Sequence, residues 1–285
     1  MAPRALLLPV TGHHADDAAL ETAFTVANAF EAHLAAVCIR PDPVDIVRYV
    51  ADWTSPVLSG DAVAAVEAEA QAAAHSAGGA FEQWRQSRKL PLWSERGTEG
   101  CVSVSWQERV GAPAVILRDM ARFADLVVMR GLGPEGPVDG DAMLEVVLFD
   151  AGRPILLAPP KPAENLFDTA LVAWAGGREE VRAVSAALPF LTRMKRIEIR
   201  TVGDREDAEI AQLVTYLGRH GVTVKAEVMS GGHSVGDALL AEEKRVGASL
   251  LVMGAYHHSR AREAVFGGTT RQIITHVEIP VLLAH

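Results

Sequence analysis

Short unbroken apolar runs alternate along this chain with longer stretches in which apolar positions recur at helical spacing. Residues 5–12 read as a fully buried strand ending in a turn. Asp16 and Asp17 then introduce residues 18–30, where Leu20, Phe24, Ala27 and Phe30 fall on one helical face. Residues 33–39 form a second strand, stopped by Pro41 and Pro43. Residues 42–60 are irregular, and residues 61–88 form a long Ala-rich helix of high propensity. Beyond it the pattern predicts a weak third strand over 91–95, a helix over 112–123 and a strand over 125–129. A Gly- and Pro-rich loop over 131–141, a short helix over 143–149 and a strand over 154–158 complete the first half.

Residues 159–165, with Pro159, Pro160 and Pro162, read as a linker, and the pattern then restarts. Residues 170–177 echo 5–12, 250–253 repeat 126–129, and 280–284 repeat 154–158. Between them, 178–191, 204–220 and 236–246 read as helices and 196–202 and 222–229 as strands, with Gly247 as a left-handed C-cap. Unbroken apolar strands separated by helices imply parallel sheets covered on both faces. The expected fold is therefore α/β. It has two tandem doubly wound, Rossmann-like domains, residues 1–160 and 167–285, each a five-stranded parallel sheet with helices on both faces.

Composition narrows the classes of function. A chain of 285 residues can bury two ordinary cores, and 49% hydrophobic with 22% charged residues is globular rather than disordered. The net charge of -9 argues against a general nucleic-acid binder, whose affinity comes from Lys and Arg neutralising phosphate. Cys38 and Cys101 lack metal or redox spacing and read as free thiols in a reducing compartment. The short apolar run near the N-terminus is no secretory signal, and no run approaches the ~18 residues needed to span a bilayer. A cytoplasmic protein with neither a membrane nor a nucleic-acid partner is expected.

The candidate chemistry lies in residues 249–285. An apolar strand ends at Gly254, a polar Arg-containing loop follows, and Gly267-Gly268-Thr269-Thr270 leads into a helical run over 271–277. Glycines let backbone approach an anion, and the first amides of a helix are unpaired donors carrying partial positive charge. This arrangement resembles the C-terminal signature of the universal stress protein family, Gly-x2-Gly-x9-Gly-[Ser/Thr], which in some members holds the phosphates of ATP. Gly254 and Gly267 match that pattern. His257 stands at the second glycine and Gly268 at the Ser/Thr position, with Thr269 and Thr270 just beyond. The resemblance covers nearly the whole chain. It implies an adenine nucleotide alpha hydrolase-like fold, a stress-response role, ATP as the candidate cofactor, and dimer-like pairing of the two halves through strands 154–158 and 280–284. A further homo-oligomer is in keeping with it.

In nucleotide-binding relatives the first strand of such a domain ends beside an Asp near the nucleoside. Here Trp174 and Ala175 occupy that place, and Ala175 has no side-chain acceptor. Two readings of His257 stand open: an imidazole that contacts a different anion with His258 and Arg260, or a surface-loop histidine where binding has decayed. Likewise Gly267, Gly268, Thr269 and Thr270 are either phosphate donors, aided by Arg260, Arg262 and Arg271, or a turn and N-cap. In the first half, Asp139, Asp141 and Glu145 put negative charge where an anion would need donors, so no nucleotide is expected there. Trp174, Phe190 and Leu191 read as core rather than interface. No metal site and no catalytic group emerge: His13 and His14 beside Asp16 and Asp17 read as a polar helix-capping loop, and Ser185, Ser230 and Ser234 lie in no nucleophile elbow. The functions left open are a binding or regulatory protein, a slow regulatory ATPase, and a ligand-free scaffold.

Overall fold

The computed structural model of the protein describes residues 1–11, 16–40, 42, 60–93, 100–131, 140–163, 165–203, 207–229, 234–255 and 268–285. The first half runs β1 (Ala5–Val10), α1 (Asp16–Phe30), β2 (His33–Arg40), α2 (Gly60–Ser87), β3 (Ser103–Val110), α3 (Pro113–Ala121), β4 (Leu126–Arg130), α4 (Gly140–Glu145) and β5 (Ile155–Ala158). The chain continues from α4 through a π-helical turn, Val146–Asp150. The second half runs β6 (Thr169–Ala173), α5 (Arg178–Leu191), β7 (Arg196–Val202), α6 (Asp207–Arg219), β8 (Lys225–Met229), α7 (Val235–Val246), β9 (Leu250–Gly254), α8 (Gly268–His276) and β10 (Val281–Ala284).

All ten strands belong to one sheet, in the order β3-β2-β1-β4-β5-β10-β9-β6-β7-β8. Within each half the pairing is parallel, and the strand order reverses beside β1 and β6. β5 and β10, the fully buried four-residue strands that end each half, meet antiparallel, with Leu282 opposite Leu156. Each would otherwise be an apolar edge with unpaired backbone groups, so their pairing removes two aggregation-prone edges at once.

The third strand departs from expectation. Of the expected strand 91–95, the described residues 91–93 supply a single bridge, Leu92 to Val104, and the strand is β3. Its sequence, SVSWQERV, is half polar because beyond that bridge it pairs only with β2, and its last residues are exposed. A search for continuous apolar runs passes over such an edge. Helices otherwise sit where the periodicity puts them, and Gly247 takes the left-handed conformation, φ 62° and ψ 50°, as the cap of α7.

Apolar side chains form two clusters, one on each face of the sheet. On the first face lie α1, α2, α5 and α6, and that cluster passes without a break from one half to the other. Phe30 of α1 packs 5.0 Å from Phe190 of α5, with Phe167 6.1 Å from each, in edge-on and stacked contacts. Phe190 and Leu191 are 1% exposed, as core residues should be. Phe190 is nonetheless also where the two halves touch, so core and interface coincide there. On β7, Arg200 is buried with Glu198 and Glu242, each of which bonds its guanidinium. No described helix is long and apolar enough to cross a membrane.

Candidate functional site

In open parallel sheets ligands collect at the carboxyl ends of the strands, where strand order reverses. In the second half that place is the shared end of β6 and β9. Val172 pairs with Val252, so Trp174 and Gly254 each stand two residues further on, side by side. Ala175 follows Trp174 and leads through Gly176 and Gly177 into α5. The Trp174 amide donates to the Arg200 carbonyl at 2.9 Å, and its indole Nε1 is buried with no hydrogen-bond partner among the described residues.

Gly254 is tightly hemmed in. A β-carbon on it would lie 2.7 Å from the Glu180 amide nitrogen and 2.8 Å from the Glu179 carbonyl carbon. Such separations are not tolerated, so this position must be glycine for β9 to run against the start of α5. The sequence pattern assigns it to phosphate approach; the structure gives it a packing reason that holds with or without a ligand.

The start of α5 is acidic and already paired. Glu180 reaches back to accept the Gly177 amide at 3.0 Å, the returning arm of a capping box. Glu179 is buried and bonds Arg178 at 2.9 Å. Burial works against its charge, but the bond from its own backbone amide, the Arg178 hydrogen bond and charge, and His285 together hold its carboxyl below the usual glutamate range. Nothing in the residue pattern of the loop 254–270 signals these two carboxylates; the adjacent acids in the first turn of a predicted helix are the signal that could have found them.

α8 begins differently. It starts at Gly268, earlier than the sequence suggests, so Thr269 and Thr270 lie within its first turn rather than ahead of it as N-caps. Its first turn contains no acid. Thr270 is buried and Thr269 partly so, whereas a β-carbon on Gly268 would meet nothing within 4 Å. The helix is held against α7 through Gln272, which accepts from Ser234 Oγ at 2.9 Å and donates to Asp237 at 2.6 Å. Arg271 turns toward the first half and pairs with Asp141 at 3.5 Å. Charge that the sequence offers to an anion thus meets the very acid expected to repel one.

Trp174 and Ala175 thus follow β6, Gly254 ends the neighbouring strand β9, and Gly268, Thr269 and Thr270 open α8. His257 and Gly267, with His258, Arg260 and Arg262, lie outside the described residues, as do His13, His14 and Asp139. Among the described residues no group of three His, Cys, Asp or Glu is disposed to hold a metal ion. The donor set suits a phosphate: helix amides and hydroxyls without opposing carboxylate in the same turn. It provides nothing at Ala175 for a ribose.

In the first half the carboxyl end of β1 is tied to the start of α1. The Thr11 amide donates to Asp16 at 2.7 Å and its hydroxyl bonds the same carboxylate, which is itself buried at the start of α1.

With this geometry in view, comparison with known proteins is informative. The profile of the universal stress protein family matches residues 157–285. Universal stress protein Slr1230 of Synechocystis sp. is 27% identical over 210 residues, 69% of this chain and 71% of that relative. Among solved structures, a universal stress protein from Archaeoglobus fulgidus DSM 4304 superposes with a TM-score of 0.72 at 18% identity, covering 98% of this chain and 97% of its own. A functionally unknown protein from Pseudomonas aeruginosa PAO1 gives 0.57 at 14% identity, covering 99% of this chain and 92% of its own.

Proposed function

We propose that the chain is a universal stress protein, a reading supported by the profile match over residues 157–285 and the 27% identical relative, and that it works as a stress-response binding protein in the cytoplasm, holding a small phosphate-bearing anion, with ATP the leading candidate, in its second half. The observation that carries this reading is the start of α8: an acid-free first turn with two threonines and a glycine open to solvent, at the carboxyl edge of the sheet. Amides there lack intrahelical acceptors and carry partial positive charge, which favours an anion by up to about 2 kcal/mol in partly buried geometry. The role is binding rather than turnover: the described site offers no nucleophile paired with a base, and the carboxylates at hand, Glu179 and Glu180, are committed to Arg178 and Gly177.

A second reading, a scaffold without ligand, is favoured by Ala175 and by the tight seating of Gly254 on α5. Calorimetric titration with Mg²⁺-ATP, followed by inorganic phosphate in competition, separates the two. The anion-site reading expects saturable binding weakened by phosphate. No heat at millimolar nucleotide, with none for phosphate, would leave the scaffold.

A further inference from the structure

The first half contains a cavity of about 530 Å³ between α1 and α2, above the carboxyl end of β1. Its volume lies within the roughly 300–1,000 Å³ of small-molecule sites. The fold explains why it is there. β1 pairs with β4 through Leu6 and Leu126, and β6 with β9 through Ala170 and Leu250. Four residues on from these pairs, Val10 occupies in the first half the place of Trp174 in the second. Val10 forms part of the cavity floor, whereas Trp174 packs into the shared core with its large ring. Both residues pack against the same apolar cluster, and the side chain in the first half is the much smaller one.

The lining specifies a ligand. Phe81, Trp84 and Trp106 supply aromatic walls, with Phe81 5.6 Å from Trp84 and 5.3 Å from Trp106. Leu20, Ala77 and Ala80 add aliphatic surface. The charged groups are Asp16, Asp17 and Glu21 against a single Arg88. Arg88 is bound to Glu21 at 2.6 Å and lies 5.2 Å above the Trp84 ring, so an aromatic face here already receives a cation. Glu21 also fixes Trp84 by accepting its indole N–H at 3.0 Å. The positive end of α1 is met by Asp16 and Asp17. A phosphate finds three carboxylates in this cavity; a flat ring finds stacking surfaces, and an amine attached to it finds an acidic rim.

We propose that this cavity is a second binding site, separate from the anion site, and that it takes a small planar aromatic molecule bearing one amine. The probes are tryptamine, indole and indole-3-acetate, one ring system with positive, zero and negative charge, titrated calorimetrically into the full-length protein. Tryptamine is expected to bind at least about tenfold more tightly than indole-3-acetate, a difference of ~1.4 kcal/mol, with indole between. Val10→Trp, which copies the second half, is expected to abolish tryptamine binding. Ala80→Leu, on the exposed side of α2, narrows the same cavity without touching the sheet and is expected to weaken binding at least several-fold even if Val10→Trp does not fold. Equal affinity for the three probes, no binding of any, or undiminished tryptamine binding by the folded variants would overturn the proposal.

Discussion

At the scale of single residues, Gly254 shows how far a motif can be trusted. The sequence marks it as a phosphate-loop glycine, and the structure marks it as a position where a β-carbon would lie 2.7–2.8 Å from the backbone of Glu179 and Glu180, so that only glycine fits. The position was legible; the reason for it was not, because the demand comes from a helix 74 residues earlier in the chain. Glu243 of α7 makes the complementary point. It is 6% exposed, and its Oε2 has no hydrogen-bond partner among the described residues. Burial pushes its carboxyl up; Lys244 opposes the rise and Glu278 adds to it. With the folded-state pKa above the unfolded one, the folded chain keeps this proton longer. The resulting stability is full below the ordinary glutamate value and is lost as pH rises through the folded value. Glu243→Gln is therefore expected to match the wild type near pH 4 and to exceed it at pH 7.5 by about 1 kcal/mol, the cost of a buried group lacking a partner. Urea denaturation at the two pH values checks the sign.

At the scale of elements, the helices and buried strands follow from periodicity because each carries its own burial pattern. β3 does not. Its Ser, Gln, Glu and Arg are compatible with a strand only because it sits at the edge of the sheet, and a local reading cannot know which strand will be outermost. The start of α8 was blurred for a related reason: glycine and threonine favour turns and caps, and only packing through Gln272 draws them into helix. That helix start offers a separation of structure from binding. Gly268→Asp places a carboxylate where a β-carbon has free space. It should stabilise α8 by ~0.3–1 kcal/mol through the helix dipole while weakening Mg²⁺-ATP binding at least tenfold by repulsion. A thermal shift upward with binding retained would detach ligand binding from α8.

At the scale of the whole molecule, the meeting of β5 and β10 is what the family resemblance implies, and the two strands do pair. The aromatic contact of Phe30, Phe167 and Phe190 is not visible in either half alone, since each ring looks like an ordinary core residue of its own helix or turn. With a continuous ten-stranded sheet and an apolar cluster on each face crossing the seam, the halves are expected to unfold together. Phe190→Ala removes a ring from that seam and should cost ~3–5 kcal/mol. Differential scanning calorimetry should show one transition moved to lower temperature, not a split into two.

The central claim is that α8 holds an anion. Amide resonances of Gly268, Thr269 and Thr270 in isotope-labelled protein, followed while Mg²⁺-ATP is added, test it most directly. These three are expected to shift together and saturably, with inorganic phosphate moving them in the same direction. Shifts confined to other regions, or none at millimolar nucleotide, would contradict it.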